Sequence, residues 1–380
     1  MKIYLLLAVI GIGLSCVTSC SNRSDEVYIL SSPDGRLSLT IQKDSIGLWE
    51  YSFIGNGEEL IKNSRLGYES VQDEMIPSGD WSVSVSERSH DGIWKPVWGK
   101  REQVKDLYNE LTLSFVAPTD QQGLKAFEMV FRVYNDGVAF RYMVPDSEKK
   151  IIGVKRELTQ YDFAGNYTAW FYNGEHHNLG PDKLAEVEGR RYPVMTVQAG
   201  ENQFMAVHEA NLMEGEPLVL TSRKGELLFE VSSKPSELKA GNVSAWRVLL
   251  YGTAPGNLVD SHLIELLNPD PKDDFSWVKP GLAVWDWRIN GAVTDDGFRY
   301  TMSYPSWIRM VDFAAEQGFR YLVLDANWYG PEFEADSDPV IGAKAKDVQR
   351  LLAYAKEKGV GIWLYLNDVG GKKYPIEKTL

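Results

Sequence analysis

Four short stretches of this chain set chemically capable side chains beside one another. In FMAVHEANL (Phe204 to Leu212) His208 and Glu209 are adjacent where an apolar strand ends, so they alternate faces and at least one can point inward. A ligand contact and a buried, paired histidine suit His208 equally well. KLAEVEGRRYP (Lys183 to Pro193) carries Glu186 and Glu188, and YNGEHHN (Tyr172 to Asn178) just upstream packs Glu175, His176, His177 and Asn178 into one loop. Carboxylate and amide oxygens of this kind can hold a hard cation or grip sugar hydroxyls. A solvated loop is the plain alternative, since charged loop residues are mostly just exposed. In DANWYG (Asp325 to Gly330) an acid follows a branched apolar run and precedes Trp328, so a carboxylate can bind hydroxyls while an indole face covers a sugar ring. Asp325 could instead orient a neighbouring loop amide or arginine. No HExxH, GxSxG, P-loop or GxGxxG context accompanies any of these groups.

The elements that position these groups change type along the chain. From Val27 to about Trp277 short strands alternate with turn signals, as in VYILSSPDGRLSLTIQ (Val27 to Gln42), WSVSVSER (Trp81 to Arg88) and NELTLSFVAP (Asn109 to Pro118). AFEMVFRVYNDGVAFRYMVP (Ala126 to Pro145) is two long strands about Asn135-Asp136-Gly137, the clearest hairpin of the chain. From Pro280 the pattern becomes strand, helix, strand: PGLAVWDW, then SYPSWIRMVDFAAEQG closed by Gly318, YLVLDANW, KAKDVQRLLAYAKEKG closed by Gly359, and VGIWLYLND. Asp286 and Trp287, Asp325 to Trp328, and Asn367 with Asp368 fall at the strands' carboxyl ends, where a (β/α)8 barrel keeps its chemistry. The expected architecture is multidomain β plus α/β: a large antiparallel β-sandwich followed by the first three βα units of an incomplete (β/α)8 TIM barrel. Three strands cannot close a barrel of eight, so the remaining strands are expected to be missing. The boundaries are a signal peptide over 1–20, a tether over 21–26, the sandwich over 27–267, a Pro- and Asp-rich linker over 268–279 and the barrel portion over 280–380.

Composition bounds the partners. A formal charge of -13 and a pI near 5.0 argue against a nucleic-acid partner, whose phosphates need a basic face. Twelve Trp and nineteen Tyr suit the apolar faces of sugars, and suit core packing as well. At the amino end Lys2 precedes an apolar run from Ile3 to Leu14 that is too short to span a bilayer, and Val17-Thr18-Ser19-Cys20 resembles a bacterial lipoprotein box. Cys20 is then the lipidated first mature residue, anchoring the protein in the cell envelope at the periplasm or outer membrane; a plain signal peptide is the alternative. The only other cysteine, Cys16, lies in the removed segment, so no disulfide is expected.

Taken in order, FRVYNDGVAFRY, VHEANL, AWRVLLYG, PGLAVWDW and VDFAAEQGFRYLVLDANWYG resemble the blocks of glycoside hydrolase family 97, lipoprotein or periplasmic α-glycosidases of Bacteroidetes. The resemblance implies a β-sandwich, a catalytic (β/α)8 barrel and a small β-domain, and an exo-acting enzyme on α-linked glucosides or galactosides. It implies that a sandwich glutamate joins barrel glutamates around Ca2+, with Glu186 the best match and Glu188 its rival, and that His208 and Glu209 contact substrate, as Asp325 and Trp328 are expected to. The family's nucleophile or base and its acid all map beyond Leu380, so no catalytic residue is assigned, and the chain is expected to lack turnover and bind metal poorly. The competing reading is a surface lipoprotein that binds glycans without cleaving them.

Overall fold

The computed structural model describes residues 26–118, 123–213, 217–338, 340, 342 and 344–367. Cys20 and Asp368 lie outside the described residues. The chain forms two compact units, Met1–Asp270 and Pro271–Leu380.

The first unit is antiparallel throughout. Seven strands between Val27–Ser31 and Leu228–Val231 make one sheet together with the start of an eighth, and the second runs from Leu179–Lys183 and Thr168–Tyr172 to an outer hairpin of Ser82–Trp94 and Val104–Val116. The long strand Gly189–Gly200 belongs to both. Its Gly189–Arg191 pair with Leu220–Ser222, and its later residues pair with Thr168–Tyr172 and Gln203–Ala210. Alternation along Leu37–Lys43 and Ala126–Tyr134 sends Leu37, Leu39 and Ile41 of one sheet and Phe127, Met129, Phe131 and Val133 of the other into one shared core. Rings meet across it, Trp49 on Phe115 and Tyr51 on Phe140, each at 5.1 Å between centroids. Each such side chain contributes about 1.5–3 kcal/mol of burial free energy. The Asn135-Asp136 turn closes its hairpin with Gly137 opposite Tyr134. Gly137 cannot be enlarged there, because a Cβ would stand 2.7 Å from the Leu249 carbonyl and from a Leu263 methyl.

The second sheet's outer face is also covered. Tyr108, Tyr134, Trp246, Val248, Leu263 and Leu267 form a separate cluster beneath the short helices Pro255–Asp260 and Leu263–Leu266, which the strand-dominated reading of this stretch did not foresee. With both faces covered, all seven residues of Trp246–Gly252 are buried, which is why AWRVLLYG shows no alternation. Ser82–Trp94 shows the opposite: its first half alternates strictly in sequence, yet the strand, at the sheet's edge, is mostly exposed.

In the second unit three parallel strands, Ala283–Trp285, Tyr321–Leu324 and Gly361–Leu364, lie in chain order. Helices Tyr304–Gln317 and Ala345–Lys358 connect them, each ended by a left-handed glycine, Gly318 and Gly359, both at φ 73°. Trp307, Met310 and Val311 of one helix and Val348, Leu351 and Ala355 of the other pack with Leu322 and Leu324. The first strand is shorter than PGLAVWDW suggests. Asp286 instead opens a helical turn over Asp286–Ile289.

Candidate functional site

The strands' carboxyl ends in the second unit hold a connected set of acids and rings. Asp286 is fully buried; its Oδ1 accepts from the Asp325 amide at 2.9 Å and its Oδ2 from Trp307 Nε1 at 2.8 Å. Burial raises its pKa, and the nearby Asp325 charge adds to this against the hydrogen bonds that favour ionisation. Asp286 thus fixes the backbone on which Asp325 stands. Asp325 is half-buried, with Oδ1 on the Ala326 amide at 2.7 Å and Oδ2 on Trp285 Nε1 at 2.6 Å. Arg288 lies over the other face of this arrangement, 4.9 Å from the Trp285 ring centre. Trp285 exposes 37% of its surface beside a carboxylate of fixed orientation, and Trp287, which follows Asp286 in the chain, exposes 53%. That arrangement binds hydroxyls and stacks on a ring. With one carboxyl buried and doubly bonded, it is not a pair set to exchange protons across a bond.

Trp328 requires a correction. It is 4% exposed, packs in the core against Tyr329 and donates Nε1 to the Tyr365 carbonyl, so its face is not open to a ligand. Asn327, at φ 69°, turns the chain sharply and drives the next residue inward. Trp285 and Trp287, at the first strand's end, are the more open indoles there. Beyond them Glu332 accepts from the Tyr365 hydroxyl at 3.2 Å and from Asn367 Nδ2 at 3.4 Å. The sequence marked Asn367 but gave no sign of Glu332, which comes from a loop.

In the first unit the alternation of His208 and Glu209 separates their roles. Glu209 faces the inter-sheet side, where both its oxygens lie 3.0 Å from the Leu218 amide and Arg247 Nη1 is 3.4 Å away. Arg247 is buried and forms a two-point pair with buried Glu157, at 2.9 and 2.7 Å. Burial alone would lower the Arg247 pKa, but the Glu157 carboxylate outweighs it and holds it raised. Glu209 is therefore already engaged in holding its own fold. The signal for its partner was one charge inside the apolar run AWRVLLYG, which demands a counter-charge. His208 lies on the outer face, opposite Val248. Its Nδ1 is buried with no hydrogen-bond partner, and burial lowers its pKa. On the same face the Arg141 guanidinium lies 4.3 Å from the Trp246 ring centre with a buried, unpartnered Nε. Burial, and then the charge of Arg132, push the Arg141 pKa down to about 10.

Glu186 closes the 3-10 turn Leu184–Glu186, and buried Leu184 and Val187 pin that turn so that Glu186 and Glu188 project outward, both exposed. His176 and His177 are exposed too. No group of three His, Cys, Asp or Glu suited to a metal occurs among the described residues. One or two exposed carboxylates do not supply the roughly six to eight oxygens Ca2+ takes, so these residues do not form a calcium site by themselves.

Comparison with known proteins agrees with this architecture. Residues 30–269 match the family description glycosyl-hydrolase 97 N-terminal, and residues 284–376 match glycoside hydrolase 97. A retaining alpha-galactosidase of Bacteroides thetaiotaomicron is 25% identical over 93% of this chain and 57% of its own length. A probable retaining alpha-galactosidase of Streptomyces bingchenggensis is 25% identical over 96% of this chain, again 57% of its length. A family 97 enzyme from Pseudoalteromonas sp. strain K8, solved in complex with acarbose, superposes with a TM-score of 0.74 at 26% identity, over 88% of this chain and 53% of that one. The chain thus spans little more than half of the relatives it matches. Two family descriptions in their proper order, over most of the sequence, carry the conclusion: the chain belongs to glycoside hydrolase family 97.

Proposed function

We propose that the protein is an α-glycosidase, and that its second unit is the opening of a (β/α)8 barrel whose strand ends bind the sugar. The observation that carries this is the Asp325 carboxylate, held by Trp285 Nε1 and the Ala326 amide beside the partly exposed Trp285 indole. Asp325, Trp285 and Trp287 hold the ring; Asp286 positions Asp325. On the sandwich His208 is the member of its pair with unspent hydrogen-bonding capacity and is assigned to the ligand, while Glu209 is engaged by Leu218 and Arg247. An oligosaccharide substrate is supported by the acarbose complex of the Pseudoalteromonas enzyme. The α-galactosidase names of the two curated relatives make an α-galactoside the first substrate to try and an α-glucoside the second.

Glu186 is proposed as one ligand of a Ca2+ whose other oxygens are not among the described residues, and no step is derived through it. The cell-envelope location, with a lipid on Cys20, rests on the leader sequence. No helix among the described residues is long and apolar enough to cross a membrane.

Binding and turnover are tested separately: calorimetric titration with acarbose, and release of 4-nitrophenol from the α-galactoside and α-glucoside. Saturable acarbose binding that Asp325→Asn weakens supports the sugar site, and 4-nitrophenol release supports the hydrolase. Binding without release favours the glycan-binding reading. Absence of both overturns the proposal.

A further inference from the structure

A cavity of about 410 Å³ opens at one end of the first unit, below the Asn135-Asp136 turn and beside the helix Pro255–Asp260. Tyr134 brings it to the outer side of the second sheet, but His208 is not in its lining, and its size falls within the roughly 300–1,000 Å³ typical of small-molecule sites. Its charges are already spent. Of the cations lining it, Arg36 pairs with Asp34, Arg101 with Asp260 and Lys105 with Asp91. Asp136 accepts from the Ser261 hydroxyl at 2.8 Å.

What remains unspent is neutral hydrogen-bonding capacity. His262 is 6% exposed, yet neither ring nitrogen has a hydrogen-bond partner among the described residues; the half-exposed Glu265 carboxylate stands 3.5 Å from Nδ1 without bonding geometry. The buried Tyr134 hydroxyl, in the same lining, makes no hydrogen bond of good geometry among the described residues, although Asp106 and Arg132 stand near it. A buried polar group left without a hydrogen bond is costly, so three such atoms around one cavity call for an occupant. A neutral imidazole offers one donor and one acceptor, and a phenol hydroxyl offers both. An anion finds no unpaired cation here, and an apolar ligand leaves every orphan unsatisfied. A polyhydroxylated ligand satisfies them, with the Tyr134 and Tyr251 rings and Leu107 as apolar wall.

We propose that this cavity is a second carbohydrate site, which takes a neutral mono- or disaccharide whose hydroxyls bond the His262 ring nitrogens and the Tyr134 phenol. The site stands apart from the hydrolase reading and survives its failure, since it is read by binding at His262 and not by turnover.

The protein has five histidines, so their ring C–H signals in NMR are few enough to follow singly, and His262→Phe assigns the relevant one by its loss. Titrated with maltose and with melibiose, the His262 signal is expected to shift saturably while those of exposed His176 and His177 stay fixed. Gln103→Trp, which fills the cavity from an exposed position without touching the core, is expected to abolish the shift. It also serves as the test if His262→Phe does not fold. A His262 signal unmoved by both sugars overturns the proposal, as does a shift that persists in Gln103→Trp. A shift with inorganic phosphate but neither sugar makes this an anion site and overturns it equally.

Discussion

Glu209 and Asp325 both end a strand, and both sit in a stretch whose neighbours suggest sugar binding, yet their surroundings differ. Glu209 faces the inside of two packed sheets, where a buried arginine and a loop amide occupy it. Asp325 stands at the open end of a parallel sheet, bonded only to an indole nitrogen and to the amide of the next residue. The carboxylate in the antiparallel unit stabilises its own fold, while the one in the parallel unit is oriented and left half-exposed. The difference follows from the neighbours: an adjacent strand of the same sheet that sets a buried arginine opposite Glu209, or solvent and the Trp285 indole beside Asp325. The pattern of an acid at a strand end therefore marks a place, and the packing around it decides whether a ligand can use it.

Substitutions test the contrast from the strongest effect downward. Arg247→Met leaves Glu157 buried without its partner and is expected to lower the first unit's stability by about 3–5 kcal/mol in urea unfolding. Stability equal to the wild type would show that the inner acids do not need the arginine. Asp286→Ala strips the acceptor from Trp307 Nε1 and the Asp325 amide and is expected to cost the second unit about 2–4 kcal/mol, weakening acarbose binding as Asp325 loses its anchor. Unchanged binding would detach Asp325 from the site. Asp325→Asn is expected to change unfolding by less than about 1 kcal/mol while weakening acarbose roughly tenfold, about 1.4 kcal/mol. The reverse outcome, lost stability with intact affinity, would make Asp325 as structural as Glu209.

The smallest effect concerns pH. His208 has a folded pKa below its unfolded value near 6.5, so the fold favours its neutral form. Its contribution is present above about pH 6.5 and is lost as pH falls through the lower, folded pKa. Between about pH 7.5 and pH 5 the wild type is expected to lose more stability than His208→Gln. Equal losses would mean that His208 is not held neutral.

Much of the scaffold was legible from local pattern. Gly318 and Gly359 end their helices as their positions announced, and Asn135-Asp136 turns its hairpin in register. Legibility failed where a second layer intervened. Edge position left Ser82–Trp94 exposed despite its alternation, and the brevity of Pro255–Asp260 and Leu263–Leu266 hid them from any periodicity. Trp328 looked like a platform by type and place, but the left-handed Asn327 turned it into the core. His208 and Glu209 were known to face opposite ways, since a strand's period is two. Which of them kept free hydrogen-bonding capacity was not written there.

The sequence by itself determined the two kinds of sheet and where one gives way to the other, because these follow from spacing and turn chemistry over tens of residues, and it carried the family through the resemblance of its ordered blocks. Only the tertiary structure decided which polar groups remain available. Arg247 meets Glu157 across 90 positions of chain and Trp285 meets Asp325 across 40, and a side chain's freedom to bind depends on such distant partners as much as on its own kind.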